Sequence, residues 1–131
     1  MSSVDLPWDE VDLDLPETPP TPGELLRLVA GTLRGTGGDR LVDVQVVAAQ
    51  LVGNAYRHAL APRRLRLRRL PDRGLLRVEV DDGSPSLLPV LGRLDTPAHG
   101  RGLLMVNRLS VNWGHRPRGD CKTVWAEVRL V

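Results

Sequence analysis

The chain has 131 residues and a net charge of +2, with 41% hydrophobic and 26% charged residues, the size and balance of one soluble globular domain. No run approaches the roughly 18 apolar residues of a membrane span. The acidic N-terminus lacks the apolar stretch of a secretory signal, and the single cysteine, Cys121, can neither close an internal disulfide nor build a zinc site. A disulfide scaffold, a zinc finger and a mostly disordered chain are excluded, and a cytoplasmic location is expected.

The small net charge hides an asymmetry. Residues 1–24 carry seven acidic groups and no basic one, whereas residues 25–131 carry 18 basic and nine acidic groups, a net of +9. A basic body attracts anions of any kind: nucleotide phosphate, nucleic acid or an acidic protein.

Residues 1–9 read as a loose acidic tail and residues 10–131 as one domain. Val11, Leu13 and Leu15 alternate with Asp12 and Asp14, the period of a half-buried strand. Pro16 to Pro22 form a stiff connector. Thr21-Pro-Gly-Glu24 has the form of a capping box with proline at the first helical position, and Leu25, Leu28, Val29 and Leu33 carry the helix. Gly35, Gly37 and Gly38 end it. Asp39 can cap a second helix running to about Leu60, with Val44, Val47, Ala48, Leu51, Ala55 and Ala59 at helical spacing. Leu65 and Leu67 alternate with Arg64, Arg66 and Arg68; the turn 71–74 then returns Leu75 to Asp81 as a hairpin partner. Residues 83–99 form a long loop, followed by a short helix from about Gly102 to Ser110. Val111–His115 and Thr123–Leu130 close the chain as strands around Pro117-Arg-Gly-Asp120. This order predicts an α/β (α+β) two-layer sandwich: a mixed, mainly antiparallel sheet with helices on one face.

Three clusters could carry chemistry. Gln50, Asn54 and His58 fall at i, i+4 and i+8 of the second helix and form one polar stripe, either solvated or facing a ligand. Asp82 shares strand parity with Val78 and Val80, so it should emerge on the buried side. A carboxylate there needs a partner. A ligand amino group would serve; the plainer alternative is an aspartate that caps its own turn. Asp81 has the opposite parity. Gly100-Arg101-Gly102 opens the short helix, where free N–H groups can meet phosphate, although a lone glycine pair of this kind is common without a ligand. No Ser-His-Asp or Cys-His set is credible.

Together QLVGNAYRHAL, VEVDDGSP, HGRGLLMVNRLSVNWG and KTVWAEV resemble the GHKL superfamily with its Bergerat ATP-binding fold, and within it the small anti-sigma-factor serine/threonine kinases. The resemblance spans about residues 10–131. It implies ATP and magnesium as cofactors. Asn54 would hold the magnesium ion that bridges the phosphates, a neutral oxygen ligand suited to a hard cation, and Asp82 would accept the adenine amino group. Residues 86–99 would form an ATP lid. Gly100, Arg101, Gly102 and Leu103 would cradle phosphates, Thr123 would contact nucleotide, and Arg57 and His58 would approach phosphate or ribose. Ser84 and Ser86 replace the usual glycines after the aspartate. Gln50 stands where the family carries its general-base glutamate, and an amide cannot take a proton at neutral pH. The implied partners are a sigma factor or an anti-sigma antagonist, and the implied assembly is a homodimer.

Two other function classes compete. The degenerate Gln50, Ser84 and Ser86 suit an interaction adaptor that keeps the scaffold and has lost the nucleotide. Arg63, Arg64, Arg66, Arg68 and Arg69 could line a nucleic-acid face. The only aromatics are Trp8, Tyr56, Trp113 and Trp125, a poor provision for base stacking. A solvated strand face ranks first for these arginines, an acidic protein second and nucleic acid last.

Overall fold

A computed structural model describes residues 10–33, 38–85 and 104–130. The tail 1–9, the expected lid 86–99 and the phosphate-cradle residues 100–103 lie outside the described residues.

Strand β1 (Glu10–Leu15) alternates exposed and half-buried residues, as its sequence predicts. Helix α1 (Pro22–Thr32) starts on the expected capping box: the Thr21 side chain accepts the Glu24 N–H, and the Glu24 carboxylate accepts the Thr21 N–H. Each satisfies a donor that the first helical turn leaves unpaired. Helix α2 (Gly38–His58) stops two residues before the expected end at Leu60. Two local interactions account for the stop. Arg63 donates to the carbonyls of Ala55 and Ala59, and the Leu60 N–H turns away to the Ser84 hydroxyl. The last carbonyls of the helix are thus satisfied by a guanidinium that also stacks on Tyr56, 4.4 Å from the ring centre.

Strands β2 (Arg63–Leu70) and β3 (Leu75–Asp82) form a hairpin around a 3-10 turn at Pro71–Arg73. Gly74 closes that turn with φ +65°, a conformation that costs other residues dearly. Residues 104–109 form a helix, α3. Strands β4 (Asn112–Arg118) and β5 (Cys121–Arg129) close the chain. β4 runs through Pro117, which was expected in the turn. The strand lies at the sheet edge, where a residue without an N–H is tolerated.

The sheet order is β1-β2-β3-β5-β4, and all four pairings are antiparallel. Strand parity divides the sheet cleanly. Leu65, Leu67, Leu76, Val78, Val80, Val124, Ala126 and Val128 face the helices. They pack with Leu25, Val29 and Leu33 of α1, Val44, Val47, Ala48 and Leu51 of α2, and Val106 of α3 in one core. The two-layer sandwich with helices on one face is the observed fold. No helix among the described residues is long and apolar enough to cross a membrane.

The face away from the helices carries a charge lattice set by the register. Asp14 stands opposite Arg64, which stands opposite Asp81; Asp12 stands opposite Arg66, which stands opposite Glu79. Arg64 binds Asp12 and Asp14 at 2.6 and 2.8 Å. Arg66 bonds Glu79 and, through two nitrogens, Asp81. Arg77 bridges Glu79 and Glu127 while lying over the Trp125 ring. Trp125 in turn lies across Gly114, where an added Cβ would sit 3.1 Å from the ring.

Candidate functional site

The C-terminal half of α2 and the end of β3 supply the residues singled out above. Packing α2 on the sheet turns one side of it inward, so Leu51, Val52, Asn54 and Ala55 are all buried. Asn54 is only 7% exposed. Its amide makes no hydrogen bond to another described residue, which leaves a carboxamide oxygen available at the helix surface. Gln50, one turn earlier, and His58, one turn later, are half-buried on the same stripe. Arg57 is exposed, and its guanidinium folds back over Gly53.

Asp82 ends β3 on the helix-facing side, as parity predicts, and is 1% exposed. Its partners come from within the chain. One carboxylate oxygen accepts the Ser84 N–H at 2.9 Å, the turn-capping arrangement. The Lys122 ammonium lies 2.9 Å from each of the two carboxylate oxygens and also donates to the Ser84 carbonyl at 3.1 Å. Lys122 is 2% exposed. It is the only lysine in the chain, and the register sets it directly opposite Asp82. The ammonium thus makes two hydrogen bonds, to Asp82 and to the Ser84 carbonyl, beside a close ion pair to the second Asp82 oxygen, the kind of compensation under which a buried pair is tolerated.

Ser84 completes a polar knot. Its N–H binds Asp82, its carbonyl accepts from Lys122, and its hydroxyl oxygen accepts the Leu60 N–H. Gly83 lies between them with its N–H on the Leu60 carbonyl at 2.7 Å. A Cβ at this position would sit 2.3 Å from the Ala61 carbonyl oxygen. The end of β3 is therefore stitched to the loop that follows α2, and only glycine fits at the stitch.

Thr123 lies on the other face of the sheet from Asp82. The neighbour of Lys122 in the strand, it donates to Asp81 at 2.6 Å. The residue of this segment that faces Asp82 is Lys122. Sequence reasoning missed Lys122 and Gly83. The parity count that placed Asp82 would have found the first: Lys122 is in phase with Val124, Ala126 and Val128. The second is signalled by a glycine directly after a strand.

The expected basic face is largely neutralised. Burial would raise the carboxyls of Asp81 and Glu79, but the hydrogen bonds from Arg66, with Thr123 on the first and Arg77 on the second, outweigh it and hold both below the ordinary carboxylate range. Arg66 is held correspondingly high. The aromatics have structural partners: Tyr56 donates to the Pro16 carbonyl, and Trp113 to Asn107 of α3. Cys121 donates to the Arg118 carbonyl in the β4–β5 turn.

The donor set fits the implied cofactors unequally. Asn54 offers a free oxygen suited to magnesium on a phosphate. Asp82, the implied base acceptor, is already bound. Among the described residues no group of three or more His, Cys, Asp and Glu side chains could hold a metal. A cation here would rest on Asn54 and on the phosphates themselves.

No family model and no curated protein matches the chain. Among solved structures it is similar to the RsbU and RsbW domains of Rv1364c from Mycobacterium tuberculosis, with a TM-score of 0.62 and 18% identity over 92% of this chain. The match spans 32% of that longer protein. At this identity the likeness shows a shared fold.

Proposed function

We propose that the chain is a regulatory protein of the anti-sigma type. It acts by contact with a sigma factor or a phosphorylatable antagonist, takes ATP and magnesium beside α2, and transfers phosphate weakly or not at all. The observation that carries this reading is Asn54: a buried carboxamide with no partner among the described residues, one helical turn after Gln50. The fold shared with an RsbW-containing protein supports it.

Magnesium, when bound, supplies charge neutralisation on the phosphates. The Asn54 oxygen would be its protein ligand, and Gly100, Arg101, Gly102 and Leu103 would line the phosphates. Gln50 can hydrogen-bond an attacking hydroxyl or water and orient it. It cannot accept the proton, so the step loses the roughly 10²–10⁴-fold that a general base supplies. Positioning and electrostatics carry much of phosphoryl transfer, so a residue of activity is compatible with the site.

A test mixes the protein with candidate sigma factors and antagonists and with labelled ATP. Complex formation with transfer at least about 10²-fold slower than by a glutamate-bearing relative is the expected result. Transfer at the relative's full rate would refute the catalytic part, and failure to bind any such partner would refute the regulatory part.

A second reading, an adaptor without nucleotide, is favoured by Ser84, whose N–H, carbonyl and hydroxyl oxygen are all engaged internally. Saturating ATP with magnesium separates the two. A ligand at 100 times its dissociation constant adds about 2.7 kcal/mol of stability, and an adaptor gains nothing.

A further inference from the structure

We propose that Lys122 is an internal occupant of the base subsite, so that the native chain does not select adenine. This rests on the nucleotide reading above, which assigns Asp82 as the acceptor of the adenine amino group. Recognition of that kind needs a carboxylate oxygen free to accept from a neutral amine. In this chain the Lys122 ammonium lies within hydrogen-bonding distance of both oxygens of Asp82, and one of them also holds the Ser84 N–H.

The ammonium is the stronger competitor. It carries a full charge, it is part of the same strand pairing, and it also donates to the Ser84 carbonyl. Asp82 is 1% exposed and the Lys122 ammonium lies 2.9 Å from both of its oxygens, so an adenine amino group can approach either oxygen only through the space that Lys122 fills. Displacing Lys122 would strand an ammonium, 2% exposed at present, among the side chains of the core. Leaving one member of a buried ion pair uncompensated is strongly unfavourable. The base contact therefore brings no net gain, and any nucleotide held beside Asn54 is held by its phosphates. Specificity is lost at Lys122 even though the selecting residue, Asp82, is retained. A degenerate site of this kind takes adenine and hypoxanthine nucleotides alike.

The test compares magnesium complexes of ATP and inosine triphosphate, whose base lacks the amino group. Binding to the native protein and to Lys122→Thr is followed by calorimetry, with circular dichroism to establish that both are folded. The native protein is expected to bind the two nucleotides within about threefold of each other. Lys122→Thr is expected to gain at least about tenfold for ATP and little for inosine triphosphate, because the freed carboxylate can accept the amino proton. A native protein that already prefers ATP by about tenfold, with no gain in the variant, overturns the proposal and leaves the nucleotide reading standing. A folded variant that binds neither nucleotide overturns both, while the partner assay above still judges the regulatory role. Should Lys122→Thr fail to fold, the native preference decides alone: equal binding supports the proposal, a preference for ATP overturns it, and absent binding overturns the nucleotide reading together with it.

Discussion

At the scale of single residues, two positions should respond sharply to substitution. Gln50 is nearly isosteric with glutamate, so Gln50→Glu should preserve the packing of α2 and leave ATP affinity nearly unchanged. It should raise transfer or hydrolysis by about 10²-fold if the missing proton acceptor is the main defect. A phosphate-release assay beside a binding titration checks both halves. Gly83→Ala drives a methyl to 2.3 Å from the Ala61 carbonyl oxygen, a backbone atom that cannot swing aside. The expected loss is about 1–3 kcal/mol, read from a urea titration. It should come with loosening of the segment around Leu60, whose N–H and carbonyl bind Ser84 and Gly83.

At the scale of elements, the outer sheet face links sequence alternation to pH behaviour. Asp81 and Glu79 have folded pKa values below their ordinary 3.8 and 4.5. Depressed carboxyls give stability that is full above the ordinary values and is lost as pH falls through the folded ones. Thermal melts from neutral to acid pH should therefore show stability falling below about pH 4.5. Arg66→Met removes one of the hydrogen-bonding partners that hold each carboxyl down, leaving Thr123 on Asp81 and Arg77 on Glu79. It should move the acid transition to higher pH and cost about 1–3 kcal/mol at neutrality.

Much of this layer was legible beforehand. Alternation of Leu65 and Leu67 with arginines, and of Val78 and Val80 with Arg77 and Glu79, gave two strands and their faces. The capping box gave the start of α1. Less legible was what the arginines face, because cross-strand partners depend on register. The pairing of Asp12 and Asp14 with Arg64 joins residues 50 or more positions apart. The end of α2 was misjudged because Arg63, Leu60 and Ser84 terminate it through tertiary hydrogen bonds that no helix-stop signal contains.

At the scale of the whole molecule, the segregation of charge along the chain is partly undone by folding. β1 brings acidic residues of the N-terminal segment onto the arginine-rich β2. Folding thus reduces the free cationic surface on the arginine face, for which an acidic protein partner ranked behind plain solvation and nucleic acid last. Asp12→Asn with Asp14→Asn should release Arg64 and delay elution from a heparin column, a shift that added salt suppresses. Thermal stability should hardly change, because these pairs are exposed and surface ion pairs contribute little. The candidate site was legible in part. Asp82 was placed on the core-facing side by counting along the strand, whereas the helical count put Asn54 on a polar stripe and left open whether it meets solvent or a ligand. What neither count supplied was the coincidence in space of Asp82 with Lys122, 40 positions later.

The burial of the chain's sole lysine has a practical corollary. Among the described residues the folded surface offers no side-chain amine. Acylating reagents, aldehyde fixatives and amine-directed cross-linkers will find only an α-amino group, so a protein complex that is real can go undetected by such chemistry. The same property makes Lys122 a reporter. Its modification requires its contact with Asp82 to open, so the rate at which a reactive ester tags it in the native protein measures how often this end of the β3–β5 pairing comes apart.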